Sequence, residues 1–184
     1  MNLSPILTLY GAATAILGPF ASLWLALRAR TGKEDSARLQ ERFGRYALLR
    51  PAGALVWLHA ASVGESGVAL QLIEAMGARD PALSFLLTTG TRTSAELVAK
   101  RNLPRTRHVF APLDRRDAVN RFLRHWRPEF GVFVESELWP HLILGAEAAG
   151  VKLALVNARM SPGTPSTDAG LKAIGSRYSS STRL

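Results

Sequence analysis

Two glutamates stand at positions where the chain could perform acid–base chemistry. Glu65 lies in the polar stretch 60–67, directly after an apolar run, and Glu135 opens the stretch Glu135-Ser-Glu-Leu-Trp-Pro140 after another such run. A carboxylate at such a turn can act as a general base that takes a proton from a substrate hydroxyl. A structural role stays open for Glu65, because a glutamate in the first turn of a helix also complements the helix dipole.

Further polar residues follow the apolar runs. Glu137 is suited to starting or capping the next helix, whereas Glu135 closes its strand and is expected to face the same crevice as Glu65. The turn Thr88-Thr-Gly-Thr-Arg-Thr-Ser94 offers hydroxyl donors that suit a sugar or a phosphate. Its alternative interpretation is an ordinary polar loop with a Ser or Thr helix cap.

Several other kinds of site are excluded or disfavoured by the sequence. The chain has no cysteine, which excludes a disulfide scaffold, a thiolate metal site and a cysteine nucleophile. The stretch 64–68 lacks the final glycine of a nucleophile elbow, and neither a dinucleotide fingerprint nor a phosphate-binding loop occurs. The histidines have no metal-ligand spacing; they are His59, His108, His125 and His141. We therefore expect neither a metal nor a cofactor.

The elements that must position these residues alternate regularly between residues 54 and 158. Apolar runs predict five strands, at 54–59, 83–88, 108–113, 130–134 and 152–156. Helical periodicity separates them, at 68–76, 94–101, 117–126 and 139–149. Nearly continuous apolar strands between helices predict a doubly wound α/β domain, whose parallel sheet is covered on both faces. Ligands of such sheets bind beyond the carboxyl ends of the strands, where both glutamates stand.

The N-terminal 27 residues contain no charged side chain, although Pro5, Gly11, Gly18 and Pro19 interrupt the apolar pattern. A helix over residues 1–27 would be roughly 40 Å long, enough to cross a bilayer. We interpret the segment as a membrane anchor that spans the bilayer or lies in its interface; a buried core helix is the alternative. The basic residues that follow favour the cytoplasmic side for the rest of the chain.

Residues 28–50 are rich in arginine, and Arg38, Arg42 and Arg45 recur at helical spacing. This pattern predicts a basic amphipathic helix beside the membrane, although such a run is also typical of a solvated protein surface. The whole chain of 184 residues has a net charge of +9 and a pI near 11. Such a charge indicates an anionic partner: nucleic acid, acidic lipid or a phosphorylated substrate. No nucleic-acid-binding motif is present, so we do not expect nucleic acid.

The motifs along residues 3–161 resemble, in order and spacing, the N-terminal half of the 3-deoxy-D-manno-octulosonic acid (Kdo) transferases. The pairing of Ser-Val-Gly-Glu with Glu-x-Glu-Leu-Trp-Pro is especially specific. The motifs are Lys33-Glu-Asp35, Glu41-Arg-Phe-Gly44, His59-Ala-Ala-Ser-Val-Gly-Glu-Ser66, Thr88-Thr-Gly-Thr-Arg-Thr-Ser94, Pro112-Leu-Asp114, Glu135-Ser-Glu-Leu-Trp-Pro140 and Asn157-Ala-Arg-Met-Ser161.

The resemblance implies a Rossmann-like acceptor domain, the N-terminal half of a GT-B glycosyltransferase, at the cytoplasmic face of a bacterial inner membrane. It implies transfer of Kdo from the donor CMP-Kdo to the lipid A precursor (lipid IVA) with inversion, in lipopolysaccharide biosynthesis. Glu65 then matches the proton acceptor, and Glu135 the residue that stabilises the transition state. The acceptor-binding candidates are Ser62, Gly64, Ser66, Thr88, Thr89 and Thr91.

The expected organisation is an anchor at 1–27, a basic segment at 28–50, the acceptor domain at 51–161 and a tail at 162–184. The tail is rich in Ser, Thr, Gly and Pro, departs from the family pattern and is expected to be disordered, as a truncated or out-of-frame end. The resemblance assigns CMP-Kdo to a C-terminal domain, so we expect this chain alone to be inactive. The alternative function is a membrane-bound module that binds anionic lipid without catalysis.

Overall fold

Five parallel strands alternate with helices, and a long helix precedes them. A computed structural model of the chain describes residues 5–134 and 139–156. The strands are β1 (Leu55–Ala60), β2 (Ser84–Thr89), β3 (Thr106–Phe110), β4 (Phe130–Val134) and β5 (Lys152–Val156). The helices are α1 (Pro5–Arg30), α2 (Leu39–Arg42), α3 (Val63–Arg79), α4 (Arg92–Arg101), α5 (Arg116–Trp126) and α6 (Pro140–Ala148), with a 3₁₀ turn at Ser36–Arg38. The alternation confirms the predicted α/β class.

The strand order is β3-β2-β1-β4-β5, and every neighbouring pair is parallel. From β1 the chain builds one half of the sheet through β2 and β3, and then returns to the other side of β1 to add β4 and β5. The order therefore reverses between β1 and β4. In open α/β sheets, ligands bind outside the carboxyl ends of the strands at such a reversal. The loops that leave this point lead into α3 and α6.

The core consists of two layers, one on each face of the sheet. All residues of β1 and β2 are buried, as expected for strands covered on both sides. Leu55 and Trp57 pack against α5 and α6 in a cluster rich in aromatic rings. Val56 and Leu58 point the opposite way and pack in a mainly aliphatic cluster with α3 and α4. Because the strands are fixed from both sides, the loops at their ends start from rigid positions.

Among the α1 side chains that the structure describes, those that contact the domain lie on one side of the helix. The Tyr10 hydroxyl donates to Asp114 Oδ2 at 2.6 Å, Thr14 Oγ1 lies 3.1 Å from His141 Nε2, and Leu25 is buried. The other side is apolar and exposed; it carries Leu9, Phe20, Leu23, Trp24 and Leu27. Within the described residues, no helix combines the length and the apolar character needed to cross a bilayer.

The segment after α1 differs from the amphipathic helix predicted over residues 28–50. Its only regular elements among the described residues are the 3₁₀ turn and the single turn of α2. Gly44 follows with a φ of +73°, and a side chain there would collide with the Ala118 carbonyl oxygen of α5. Arg42 is buried rather than exposed to a membrane. The helical spacing of the arginines was misleading, because a left-handed glycine ends the helix and Arg42 turns inward, while Arg45 stays exposed.

Candidate active site at the carboxyl end of the sheet

Glu65 is held in a fixed orientation at the start of α3. Ser62 is the N-cap residue, and its side chain accepts a hydrogen bond from the Glu65 backbone amide. In return, Glu65 Oε2 accepts from the amides of Ala61 at 2.9 Å and Ser62 at 3.0 Å. This reciprocal capping box fixes the side chain with one oxygen. Within the described part of the chain, the other oxygen, Oε1, receives no hydrogen bond, so Glu65 can both cap the helix and present a carboxylate oxygen.

The predicted acceptor-binding residues around Glu65 differ in accessibility. Ser62 and Gly64 are exposed, and a side chain at Gly64 would meet nothing within 4 Å. Ser66 is buried, and its hydroxyl donates to the Ser62 carbonyl oxygen at 2.7 Å. The structure therefore leaves room for a ligand beside the first turn of α3, whereas Ser66 stabilises that turn from inside.

The threonines of the hydroxyl-rich turn after β2 also differ in accessibility. Thr88 is fully buried; its hydroxyl accepts from Trp57 Nε1 at 2.8 Å and lies 2.8 Å from His59 Nδ1. Thr89 is also buried, with its hydroxyl 2.9 Å from His108 Nε2. Thr91 is the N-cap of α4 and is partly exposed. Of the three, Thr91 is the one whose position at the surface suits contact with a ligand.

The loops after β1 and β2 lie directly against each other. A Cβ atom at Gly90 would come within 2.8 Å of the Ala61 carbonyl oxygen, a separation that real side chains do not reach. Ala61 is also the residue whose amide donates to Glu65. Glycine at position 90 thus permits the two loops to pack backbone to backbone beneath the glutamate.

The second predicted catalytic residue, Glu135, lies outside the described residues, as does Glu137. The description resumes at Trp139, whose ring meets that of His59 edge-on at 5.5 Å. Asp114 caps the helix that follows, because its two carboxylate oxygens accept from the amides of His141 at 3.2 Å and Leu142 at 2.8 Å. The start of α6 is therefore fixed beside the same end of the sheet as Glu65.

The histidines have structural contacts rather than a metal-binding arrangement. His125 Nε2 lies 2.8 Å from the Leu48 carbonyl oxygen, and burial beside the Arg38 and Arg42 guanidinium groups lowers the pKa of His108 to about 3. Among the described residues, no group of three or more His, Cys, Asp or Glu side chains could hold a metal ion. The expected absence of a metal and a cofactor stays a prediction.

A groove of about 1000 Å³ lies at the opposite end of the sheet, lined by the C-terminal ends of α5 and α6 and the first residues of β4 and β5. None of the predicted site residues within 5–134 and 139–156 lines it. The carboxyl end of the sheet, with its fixed carboxylate, is the better candidate for chemistry.

Sequence reasoning missed two residues that organise the site. Asp114 and Arg42 each belong to a motif quoted above, yet neither was assigned a role in the site, and Arg42 was placed on the predicted membrane-facing helix. Arg42 donates to the Gly90 carbonyl oxygen at 2.6 Å and to the Ala111 carbonyl oxygen at 3.2 Å. The signal was present in the motifs themselves, but the contacts with His141, Leu142, Gly90 and Ala111 span 27 to 69 positions of the chain, where spacing gives no information.

Comparisons with known proteins agree with the motifs. Residues 37–181 match the family model described as 3-deoxy-D-manno-octulosonic-acid transferase (kdotransferase). A probable mitochondrial 3-deoxy-D-manno-octulosonic acid transferase of Arabidopsis thaliana is 41% identical over 154 residues, which are 83% of this chain and 34% of the plant protein. The transferases of Rickettsia bellii and Bordetella pertussis are 38% and 36% identical, over 85% and 83% of this chain and 37% of each relative. The chain thus spans little more than a third of the length of these relatives.

Proposed function

The chain belongs to the 3-deoxy-D-manno-octulosonic-acid transferase family, and from that premise we propose that it forms the acceptor-binding domain of an inverting Kdo transferase. The proposed reaction moves Kdo from CMP-Kdo to the lipid A precursor (lipid IVA) in lipopolysaccharide biosynthesis. The observation that carries the proposal is the position of Glu65. Its carboxylate is fixed by two backbone amides beside the point where the strand order reverses.

In the proposed reaction, Glu65 takes the proton of the acceptor hydroxyl, and that oxygen attacks the anomeric carbon of Kdo. The bond from this carbon to the phosphate oxygen of CMP breaks, and CMP leaves. General base catalysis of this kind contributes typically about 10²–10⁴-fold to a rate. Glu135 would stabilise the positive charge that develops on the sugar ring. Ser62, Gly64 and Thr91 are the accessible candidates for contacting the acceptor.

We place this activity at the cytoplasmic face of the inner membrane. The exposed apolar residues Phe20, Leu23, Trp24 and Leu27 recur at the i, i+3, i+4, i+7 spacing of one helix side. Arg28 and Arg30 stand in the last turn of the same helix. An apolar helix side with basic residues at its end suits the interface of an anionic membrane, and this supports a helix that lies in the interface.

The test is Kdo transfer from CMP-Kdo to lipid IVA by this chain joined to the C-terminal CMP-Kdo-binding domain of a Kdo transferase, because the chain alone is expected to be inactive; Glu65→Gln is compared with the unaltered chain in this form. Glutamine can still accept hydrogen bonds from the two amides, so the capping box and the fold are expected to persist. We expect lipid IVA binding to be retained and transfer to fall by about 10²–10⁴-fold. Glu96→Gln is the matched control, because Glu96 is exposed on α4 and pairs only with Arg92 among the described residues.

The alternative, an anionic-lipid-binding module without catalysis, is favoured by the exposed side of α1 and the net charge of +9. It predicts binding to anionic vesicles that does not depend on Glu65. Transfer by the unaltered chain that Glu65→Gln abolishes would exclude this alternative. Vesicle and lipid IVA binding without transfer, even when the donor domain is supplied, would favour it.

A further inference from the structure

We propose that Arg42 is a positioning residue, which holds the loop after β2 against the backbone that orients Glu65. The inference rests on the proposed function, since it concerns the carboxylate assigned there as the base. Arg42 belongs to the motif Glu41-Arg-Phe-Gly44, which the proposed reaction leaves without a role.

The guanidinium group of Arg42 joins two strand ends. Nη2 donates to the Gly90 carbonyl oxygen at 2.6 Å, just after β2, and Nη1 donates to the Ala111 carbonyl oxygen at 3.2 Å, just after β3. The Arg42 carbonyl oxygen accepts from the Leu113 amide at 2.7 Å. Arg42, which lies outside the sheet, therefore fixes the loop after β2 and the loop after β3.

The backbone of Ala61 connects Gly90 to the carboxylate of Glu65. Gly90 lies so close to Ala61 that no side chain fits between them, and the Ala61 amide donates to Glu65 Oε2. A shift of Gly90 must therefore move Ala61 or open a gap. Either change alters the amide that sets the orientation of the carboxylate.

Burial makes the Arg42 arrangement rigid. Glu34 accepts from Arg42 Nε at 3.0 Å and from Nη2 at 2.8 Å, and the two side chains are only 4% and 7% exposed. The other oxygen of Glu34 accepts from Arg28, in the last turn of α1. The Arg42 guanidinium also lies over the Phe110 ring at 4.8 Å. A buried charge with this many fixed partners has few alternative positions.

Only arginine can make this set of contacts. Its planar group has five N–H donors in a fixed fork, and Arg42 directs three nitrogen atoms to a carboxylate and two carbonyl groups. A lysine at this position keeps the positive charge beside Glu34 but has only one donor nitrogen. Arg42→Lys is therefore expected to retain the charge and to release Gly90, Ala111 or both.

The experiment measures hydrogen exchange of the Ala61 and Ser62 amides, with Arg38→Lys as the matched control. Arg38 lies in the same segment, pairs with Glu41, donates to the His108 carbonyl oxygen and lies over the same ring, but has no contact with Gly90. We expect Arg42→Lys to raise the exchange rates of these two amides by about tenfold or more, since a lost hydrogen bond to a charged group corresponds to at least this factor. Arg38→Lys should leave them unchanged, and amides of β4 should stay protected in both variants.

Gly90→Ala is a second variant, which leaves the buried charges in place and disturbs only the contact with Ala61. It should raise the exchange of the same two amides, and it covers the case in which Arg42→Lys does not fold. Unchanged exchange in both Arg42→Lys and Gly90→Ala, or an equal increase in Arg38→Lys, would overturn the inference. The measurement needs no transferase activity, so failure of the proposed function would be seen separately, as absent transfer by the unaltered chain when the donor domain is supplied.

Discussion

Arginines tie loops to backbone carbonyl groups at both ends of the sheet, but the two ends differ in burial. At the carboxyl end, Arg42 and Glu34 are almost fully buried as a pair. At the amino end, Arg50 donates to the Trp126 carbonyl oxygen and pairs loosely with Glu129 at 3.5 Å, and Glu129 is half exposed. Arg105, also exposed, donates to the carbonyl oxygens of Ala82 and Leu83.

The same kind of contact thus has different consequences at the two ends. A charge exposed to water is solvated whether or not its partner is present, so the pair contributes little. A buried charge that loses its partner has no solvent to replace it. The end of the sheet that carries the candidate site is therefore the end where single substitutions should be costly.

The largest effect is expected for Glu34→Ala, which leaves Arg28 and Arg42 facing each other without their shared carboxylate. Breaking a buried pair typically costs about 3–5 kcal/mol of unfolding free energy. Urea denaturation measures the loss. The matched substitution at the amino end, Glu129→Ala, should cost about 0–1 kcal/mol, because its pair is exposed. Equal losses in the two variants would remove the distinction between the two ends.

The next effect concerns pH and His108, whose folded-state pKa of about 3 lies below the usual value. Between that pKa and the unfolded value of about 6.5, the unfolded chain binds a proton that the folded chain does not. Stability should therefore fall as the pH decreases through this range, by up to about 1.4 kcal/mol per pH unit from this group.

His108→Gln tests this contribution, because glutamine does not titrate. The variant should lose less stability than the unaltered protein when urea denaturation is repeated from pH 7 down to pH 4.5. Above pH 7 the two pH profiles should run parallel. Identical slopes at low pH would show that His108 does not titrate as its surroundings indicate.

A smaller effect is expected for Asp114→Ala, which removes the cap of α6 and the acceptor of the Tyr10 hydroxyl. Loss of a helix cap costs about 0.5–2 kcal/mol. Asp80 is the counterpart at the amino end, where its exposed carboxylate accepts from the Ala82 amide. Asp80→Ala should remain within about 0.5 kcal/mol. Thermal unfolding of both variants shows whether Asp114→Ala lowers the stability more than Asp80→Ala does.

The sheet was predictable because buried strands are continuous apolar runs. The predicted bounds of β4 and β5 match the structure, and those of β1 and β2 differ by one residue at each end. β3 was placed at 108–113 but spans Thr106–Phe110. This strand lies at the edge of the sheet and begins with partly exposed polar residues, so its start carries no apolar signal.

The site was predictable only where its contacts are local. The role of Glu65 in the first turn of α3 follows from residues three and four positions away. The contacts of Arg42 with Gly90 and Ala111 span 48 and 69 positions, and no periodicity in the sequence reports them. The basic residues of the 28–50 segment were therefore interpreted as a membrane-facing surface, although Arg42 is buried and donates to the loops after β2 and β3.

The smallest effect is expected at Arg105, and it separates side-chain contacts from backbone conformation. Arg105 has a left-handed backbone, with φ of +54°, which costs a residue with a side chain roughly 1–2 kcal/mol relative to glycine. Arg105→Ala keeps this strain and loses the exposed hydrogen bonds, so it should be destabilised by less than about 1 kcal/mol. Arg105→Gly loses the same bonds but relieves the strain, so it should be at least as stable as the alanine variant by urea denaturation. If Arg105→Gly were instead the less stable of the two, backbone entropy rather than strain would dominate this turn. A loss at Arg105→Ala as large as that at Glu34→Ala would mean that exposed contacts hold the amino end as firmly as buried ones hold the other.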